Sequence, residues 1–292
     1  MENLSKAESY EISQEFMHEY QGNFPPPEVE PVIKLSSEKT CISVFGNAKN
    51  WRADFRSHVE LLPILREKNV KSVFIPNIST FTGMLSYHQS YQPEGEIEGI
   101  EIFSGIKSEG LAIPFGSAGF FCTADCPTIV YHDIEKDIVI GAHAGLGSVI
   151  DRNKIITGKP YRSDESIVDQ IMWYKEKKGS DHYEIFVICG INQHSFVYSI
   201  KDLNYGVANY KLLNYLLKNY GDEAVPRGLK GGNISLYGII RRQLINYGID
   251  EDKIKTDDLD TFSNLNLWSH YRASKNGQNG CGRNGILVIH SA

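Results

Sequence analysis

The sequence predicts an α/β (α+β) fold: a single domain built on a mixed central β-sheet flanked by helices. Three observations predict it. Apolar runs at 118–123, 128–131 and 138–142 have strand length and are separated by turn-like residues. Amphipathic stretches at 163–178, 207–220 and 234–247 each run into a glycine, Gly179, Gly221 or Gly248. Strands and helices alternate, but with no regular βαβ period. The 292 residues are 41% apolar, enough to fill a core and to exclude wholesale disorder.

The elements follow in chain order. Residues 1–30 hold seven Glu and one Lys, a net of −6, while the remainder balances 29 acids against 29 bases. Acidity therefore belongs to a leader, which also carries Phe24-Pro25-Pro26-Pro27. We read 1–39 as a solvated, Pro-containing N-terminal extension and 40–292 as the folded domain. Trp51 to Lys68 is helical in pattern through Phe55, Val59, Leu62 and Leu65, with Pro63 awkward inside it. Ser72–Pro76 is a short strand, and 77–116 is turn-rich. The three strands come next, with Asp125, Cys126, His132 and His143 at their ends, where a rigid frame can hold a reactive group. Val149 to Tyr161 reads as a basic loop. Ser163 predicts a helix N-cap, with Asp164 and Glu165 in the first turn and lysines in the last. Tyr183–Ile191 and Ile286–Ile289 are further strands.

Composition excludes several classes. No run approaches the roughly 20 apolar residues of a membrane helix. Residues 1–23 lack the apolar core of a secretory signal, which points to the cytoplasm. A net charge of −6 leaves no basic footprint for nucleic acid. The five Cys are odd in number and form no CxxC pair, as expected of reduced thiols. Cys41, Cys122 and Cys189 sit in apolar strands and read as core. Cys126, flanked by Asp125 and Pro127, does not.

Three segments carry the chemistry: Ser86-Tyr-His-Gln89, Thr123-Ala-Asp-Cys126 and His143-Ala-Gly145. His88, Cys126 and His143 form a set that suits Zn²⁺, whose catalytic sites use three protein ligands and keep a fourth position open. Their separations of 38 and 17 residues match no general zinc motif. On the residues alone, satisfied strand-end histidines and a buried thiol are the reading favoured over a metal.

TADCPTIVYHD followed by IVIGAHAG resembles the signature of the laccase-domain family. Its members were first labelled multicopper polyphenol oxidases and are now described as zinc-dependent purine nucleoside enzymes, or in some bacteria as peptidoglycan editing factors. The family pattern runs Q-x-H-G, then T-A-D-C-x-P, then A-A-H-A-G-W-R-G. Weaker pieces follow in Asn233-Ile-Ser-Leu-Tyr-Gly, Trp268-Ser-His-Tyr-Arg272 and Gly282-Arg283, so the resemblance spans residues 40–290. It implies one Zn²⁺ per chain, held by His88, Cys126 and His143, with His132 as the substitute should His88 be misaligned. It implies Asp125, Cys126 and His143 as catalytic residues. Asp125 would be a proton carrier, or, more plainly, a loop anchor. It implies a purine nucleoside as substrate, with adenosine deaminated by zinc-bound hydroxide, or the N-glycosidic bond cleaved by phosphate. Arg272, Arg283 and Arg152 are the expected phosphate or ribose contacts, with Arg162 a second replacement for a lost arginine. The departures are plain: HAGWRG is here His143-Ala-Gly-Leu-Gly-Ser148, without Trp or Arg, and Gln and Gly are missing around His88.

A rival reading uses the same residues without metal. The cytotoxic necrotizing factor catalytic domain, a glutamine deamidase, also resembles this stretch. Cys126 would be the nucleophile and His143 its base. Multicopper oxidation is physically doubtful: nine scattered His with no HxH pair offer little support for several coppers.

Overall fold

Strands buried on both faces dominate the molecule, and two sheets, not one, result. The computed structural model describes residues 29–55, 58–78, 85–86, 91–161, 165–257 and 259–292. The first sheet, among these residues, contains β1 (Ile33–Ser36), β2 (Thr40–Phe45), β3 (Ser72–Pro76), β5 (Gly95–Ile97), β6 (Ile100–Ile106), β8 (Ser117–Thr123) and β13 (Asn284–His290). Its order is β1-β2-β13-β8-β3-β6-β5. The second contains β4 (Leu85–Ser86), β7 (Gly110–Ile113), β9 (Thr128–Asp133), β10 (Ile138–His143), β11 (Tyr183–Ile188) and β12 (Ile254–Thr256), in the order β12-β11-β9-β10-β7-β4. Both are mixed: β3 runs parallel to β6 and β8, and β11 parallel to β12, while β8–β13 and β9–β10 are antiparallel.

The sheets pack face to face. Val44, Phe121, Ile286 and Val288 of the first meet Ile113, Val130, Val139 and Phe186 of the second in one apolar cluster. That is why the strand runs read as continuous apolar segments, which hides the second sheet from the sequence. Helix α1 (Leu62–Glu67) covers the outer face of the first sheet with Trp51 and Phe55. The outer face of the second is covered by α2 (Leu146–Val149), α4 (Ile167–Lys178), α5 (Gly206–Tyr220) and α7 (Leu236–Asn246). Short α3 (Arg152–Thr157), α6 (Gly228–Gly231) and α8 (His270–Lys275) complete the set.

Several expectations change. Four residues assigned to the extension form edge strand β1, paired with β2. Among the described residues, the α-helix expected over 51–68 covers 62–67, with a 3-10 turn at 59–61 before it, because Pro63 lacks an N–H and belongs to a helix's first turn. Ser163 lies outside the described residues; the N-cap of α4 is Ser166, in a reciprocal capping box with Asp169. Within the expected basic loop, Asp151 caps α3 by accepting from Lys154 N. The helix ends at Gly179 and Gly221 are as expected.

His58 has a consequence for stability. It is 0% exposed, wedged among Trp51, Phe55 and Phe120. Burial, helped by Lys49, lowers its pKa from 6.5 to about 4. From pH 6.5 downward the unfolded chain takes up a proton that the folded chain refuses until about pH 4. Stability should therefore fall across that window by about 3 kcal/mol. Urea unfolding at pH 7 and pH 4.5 measures it, and His58→Gln should flatten this part of the pH slope.

Candidate functional site

The turn after β8 and the end of β10 bring Cys126 and His143 together. Backbone bonds fix the turn: Ile191 N donates to Asp125 O at 2.8 Å, and Ala144 N to Pro127 O at 2.8 Å. His143 is buried, and its backbone N donates to Glu109 O at 2.8 Å. The side chains repeat that pairing, with His143 Nδ1 2.5 Å from Glu109 Oε2. Ser148 donates to the same carboxylate oxygen at 2.8 Å. His143 also hydrogen-bonds Cys126. With Nδ1 committed to Glu109, the nitrogen facing the thiol is Nε2.

Gly145 lets the two side chains pack against its Cα. A Cβ there would lie 3.0 Å from Cys126 Sγ and 3.1 Å from His143 Nε2, so both atoms crowd the same side of the glycine. Burial works to lower the His143 pKa, but the Cys126 sulfur and the Glu109 carboxylate outweigh it and raise the pKa to about 9. The result is a Cys–His–carboxylate series. A carboxylate on Nδ1 fixes the ring and leaves Nε2 to act, as a metal ligand or as partner of a thiolate.

The donor types fit a zinc ion as far as they are described: a thiol and an imidazole side by side at Gly145. Among the described residues no three His, Cys, Asp or Glu side chains are gathered to hold a metal ion. A full set needs the expected third ligand, His88, which lies outside the described residues. The substitute, His132, is corrected. Antiparallel pairing puts Thr128 opposite His143 and His132 opposite Val139. His132 is thus four residues, about 13 Å, along the strand from the centre. It contacts Ser37 Oγ at 3.2 Å and the His290 ring at 6.3 Å instead.

The other expected residues separate. Asp125 is buried, with φ 78°, and both carboxylate oxygens are occupied: Oδ1 accepts from Thr261 Oγ1 and Oδ2 from Tyr271 N, each at 2.6 Å. Those two bonds are the ones an anchor would make. Arg272 is also corrected. Its guanidinium donates to the carbonyls of Thr261 (2.9 Å), Phe262 (2.7 Å), Asn264 (3.1 Å) and Leu267, so it clamps a loop and does not present donors to phosphate. Arg283 is exposed and hydrogen-bonds Cys281 Sγ at 3.5 Å. Arg162 lies outside the described residues. Arg152 stands over the Tyr198 ring at 5.5 Å. Burial raises the Tyr198 pKa, Arg152 opposes that, and Cys126 adds to it.

Sequence reasoning missed Glu109, although a lone acid at the start of the apolar strand Gly110–Ile113 was a usable signal. It also missed an aromatic wall. Phe196 packs edge-on against Tyr198 (5.2 Å) and Tyr271 (6.0 Å), and Phe262 lies 5.7 Å from Tyr271.

Residues 116–290 match the model of the family described as multi-copper polyphenol oxidoreductase laccase. No curated protein sequence matches this chain. Three solved structures share the fold. The hypothetical protein YfiH from Bacillus licheniformis is 14% identical with a TM-score of 0.60, covering 86% of this chain and 92% of its own. YlmD from Geobacillus stearothermophilus is 11% identical with a TM-score of 0.58, over 90% and 100% of the two chains. Protein NMB0706 from Neisseria meningitidis, of family DUF152, is 11% identical with a TM-score of 0.55, over 89% and 99%.

Proposed function

Because the chain belongs to the multi-copper polyphenol oxidoreductase laccase family, we propose that it is a zinc-dependent enzyme acting on purine nucleosides. One observation carries the reading: Cys126 Sγ and His143 Nε2 lie side by side at Gly145, while Glu109 pins the far side of the ring. Cys126 and His143, with His88, would hold the zinc, which when bound supplies a Lewis acid and lowers the pKa of water toward ~7.

The chain's own residues do the rest. Glu109 keeps the Nδ1 proton in place and, with Ser148, holds the ring at a fixed angle. Phe196, Tyr198 and Tyr271 offer flat apolar faces to a purine. Arg152, beside Tyr198, is the cation best placed for a ribose or phosphate oxygen, which keeps phosphorolysis alongside deamination. No helix among the described residues is long and apolar enough to cross a membrane.

A second reading is favoured by the same His143–Glu109 bond. A cysteine, a histidine facing it and a carboxylate orienting the histidine are also the parts of a thiol hydrolase, here a protein deamidase. Metal content by mass spectrometry separates the two. We expect about one zinc per chain in the wild type and none in Cys126→Ala, with adenosine or inosine turnover lost in parallel. A metal-free wild type whose Cys126 reacts with iodoacetamide would replace the zinc reading with the deamidase.

A further inference from the structure

A groove of about 820 Å³ lies on the far side of α2 and α3, between α3, the start of α4, α5 and the end of α7. Its volume is that of a small-molecule site. None of the residues assigned above to the Cys126 centre lines it. We propose that this groove is a second ligand site, for a mononucleotide: a phosphate joined to a flat, hydrogen-bonding ring.

Four observations support this. Lys211, Asn214, Tyr215 and Lys218 line the groove at i, i+3, i+4 and i+7, so a single face of α5 presents two ammoniums about 10 Å apart with an amide and a phenol between them. The opposite face of the helix, Leu212, Leu213 and Leu216, is buried, which fixes that orientation.

The charges in the groove are unequally committed. Asp151 accepts from Lys154 N at 3.0 Å and Tyr161 N at 2.8 Å, and Asp169 from Ser166 N at 2.5 Å and Tyr247 Oη at 2.8 Å. Both carboxylates are thus engaged by the protein's own N–H and O–H groups. Lys218 is exposed and has no hydrogen-bond or ion-pair partner among the described residues. It is the ammonium available to a phosphate, and Lys211, which donates to Ile156 O at 2.8 Å, retains further N–H groups.

Aromatic rings stand in this polar setting. Tyr210 is 49% exposed and Tyr247 52%, and both line the groove; Tyr215 and Tyr220 pack edge-on at 6.3 Å. Half-exposed phenols above an apolar floor of Val149 and Ile150 suit a flat ring with polar edges.

Gln243 leaves a hydrogen bond unmade. Its Nε2 donates to Val149 O at 2.8 Å and to Tyr220 Oη at 3.2 Å, while its buried Oε1 has no partner. A buried acceptor without a donor is uncommon, and a ligand amino group that reached it would supply the missing bond.

The proposal does not rest on the zinc reading, and the test keeps them apart. Adenosine 5′-monophosphate is titrated calorimetrically into the full chain, wild type beside Lys218→Glu, Lys218→Gln and Cys126→Ala, with inorganic phosphate as a parallel ligand. We expect a wild-type binding event with a Kd below about 1 mM that Lys218→Glu weakens ~10-fold or more and Lys218→Gln less, and that persists in Cys126→Ala whatever happens at the Cys126 centre. Phosphate alone should bind at least ~10-fold more weakly. Three results overturn the proposal: no binding at millimolar nucleotide, binding that Cys126→Ala removes and Lys218→Glu spares, or phosphate binding as tightly as the nucleotide. Lys218 is exposed, so its variants should keep the wild-type circular dichroism spectrum.

Discussion

Gly145→Ala is expected to empty the Cys126–His143 centre while the protein stays folded. Gly145 has φ −67° and ψ 163°, an ordinary extended conformation that alanine adopts without strain. The methyl group, however, would sit 2.8 Å from His143 Cε1 and 3.0 Å from Cys126 Sγ. Neither neighbour can easily give way. His143 is buried and bonded to Glu109, and Cys126 is on a turn held by Ile191 and Ala144. The ring and thiol must separate, at a cost of about 1–3 kcal/mol of stability. A displacement of ~1 Å is worth about 10²-fold in turnover, so activity should fall far more than stability. Zinc content, nucleoside turnover and thermal unfolding of this one variant measure all three. An active, metal-loaded Gly145→Ala protein would show that the chemistry lies elsewhere.

Asp125→Ala should have the largest effect on stability, about 3–5 kcal/mol. It strands Tyr271 N and the Thr261 hydroxyl in a buried place, at about 1–3 kcal/mol each. It also puts alanine at φ 78°, a left-handed conformation that Asp and Asn tolerate better. Asp125→Asn retains an acceptor and that tolerance, and should lose only about 1–2 kcal/mol. The pair of variants tests the role as well as the magnitude. If Asp125 is an anchor, activity should track stability through both. If Asp125→Asn is stable but inactive, the carboxylate carries a proton after all. Urea unfolding with turnover at pH 7 decides it.

Strand pairs close in sequence were legible because their evidence is local. The runs that became β8, β9 and β10 are apolar and bounded by turn residues, and the helices stop where glycine stops them. Cys126 and His143 were legible because each sits at a strand end in a recognisable motif. Glu109 was not, since it reaches His143 across 34 residues and only the β7–β10 pairing makes them neighbours. Arg272 was misread because charge alone does not reveal a guanidinium turned inward onto carbonyls of its own loop. His132 was offered as a ligand because sequence proximity to Cys126 ignores the direction in which a strand carries a residue away. The second sheet was hidden for a related reason: strands covered on both faces look alike whether a helix or another sheet covers them.

The place of β13 bears on when the protein becomes competent during synthesis. It lies between β2 and β8, pairing with both, although it follows both in the chain by more than 150 residues. Asp125, one residue before Cys126, waits on Thr261 and Tyr271. A chain still attached to the ribosome can carry Cys126 and His143 with the backbone bonds from Ala144 and Ile191 and yet lack the two that hold the Asp125 carboxylate. Such late, long-range closure folds slowly and leaves two strand edges of the first sheet open meanwhile. The turn that carries Cys126 therefore gains its last side-chain supports only after residues 261–271 have been made, and the first sheet closes only with β13.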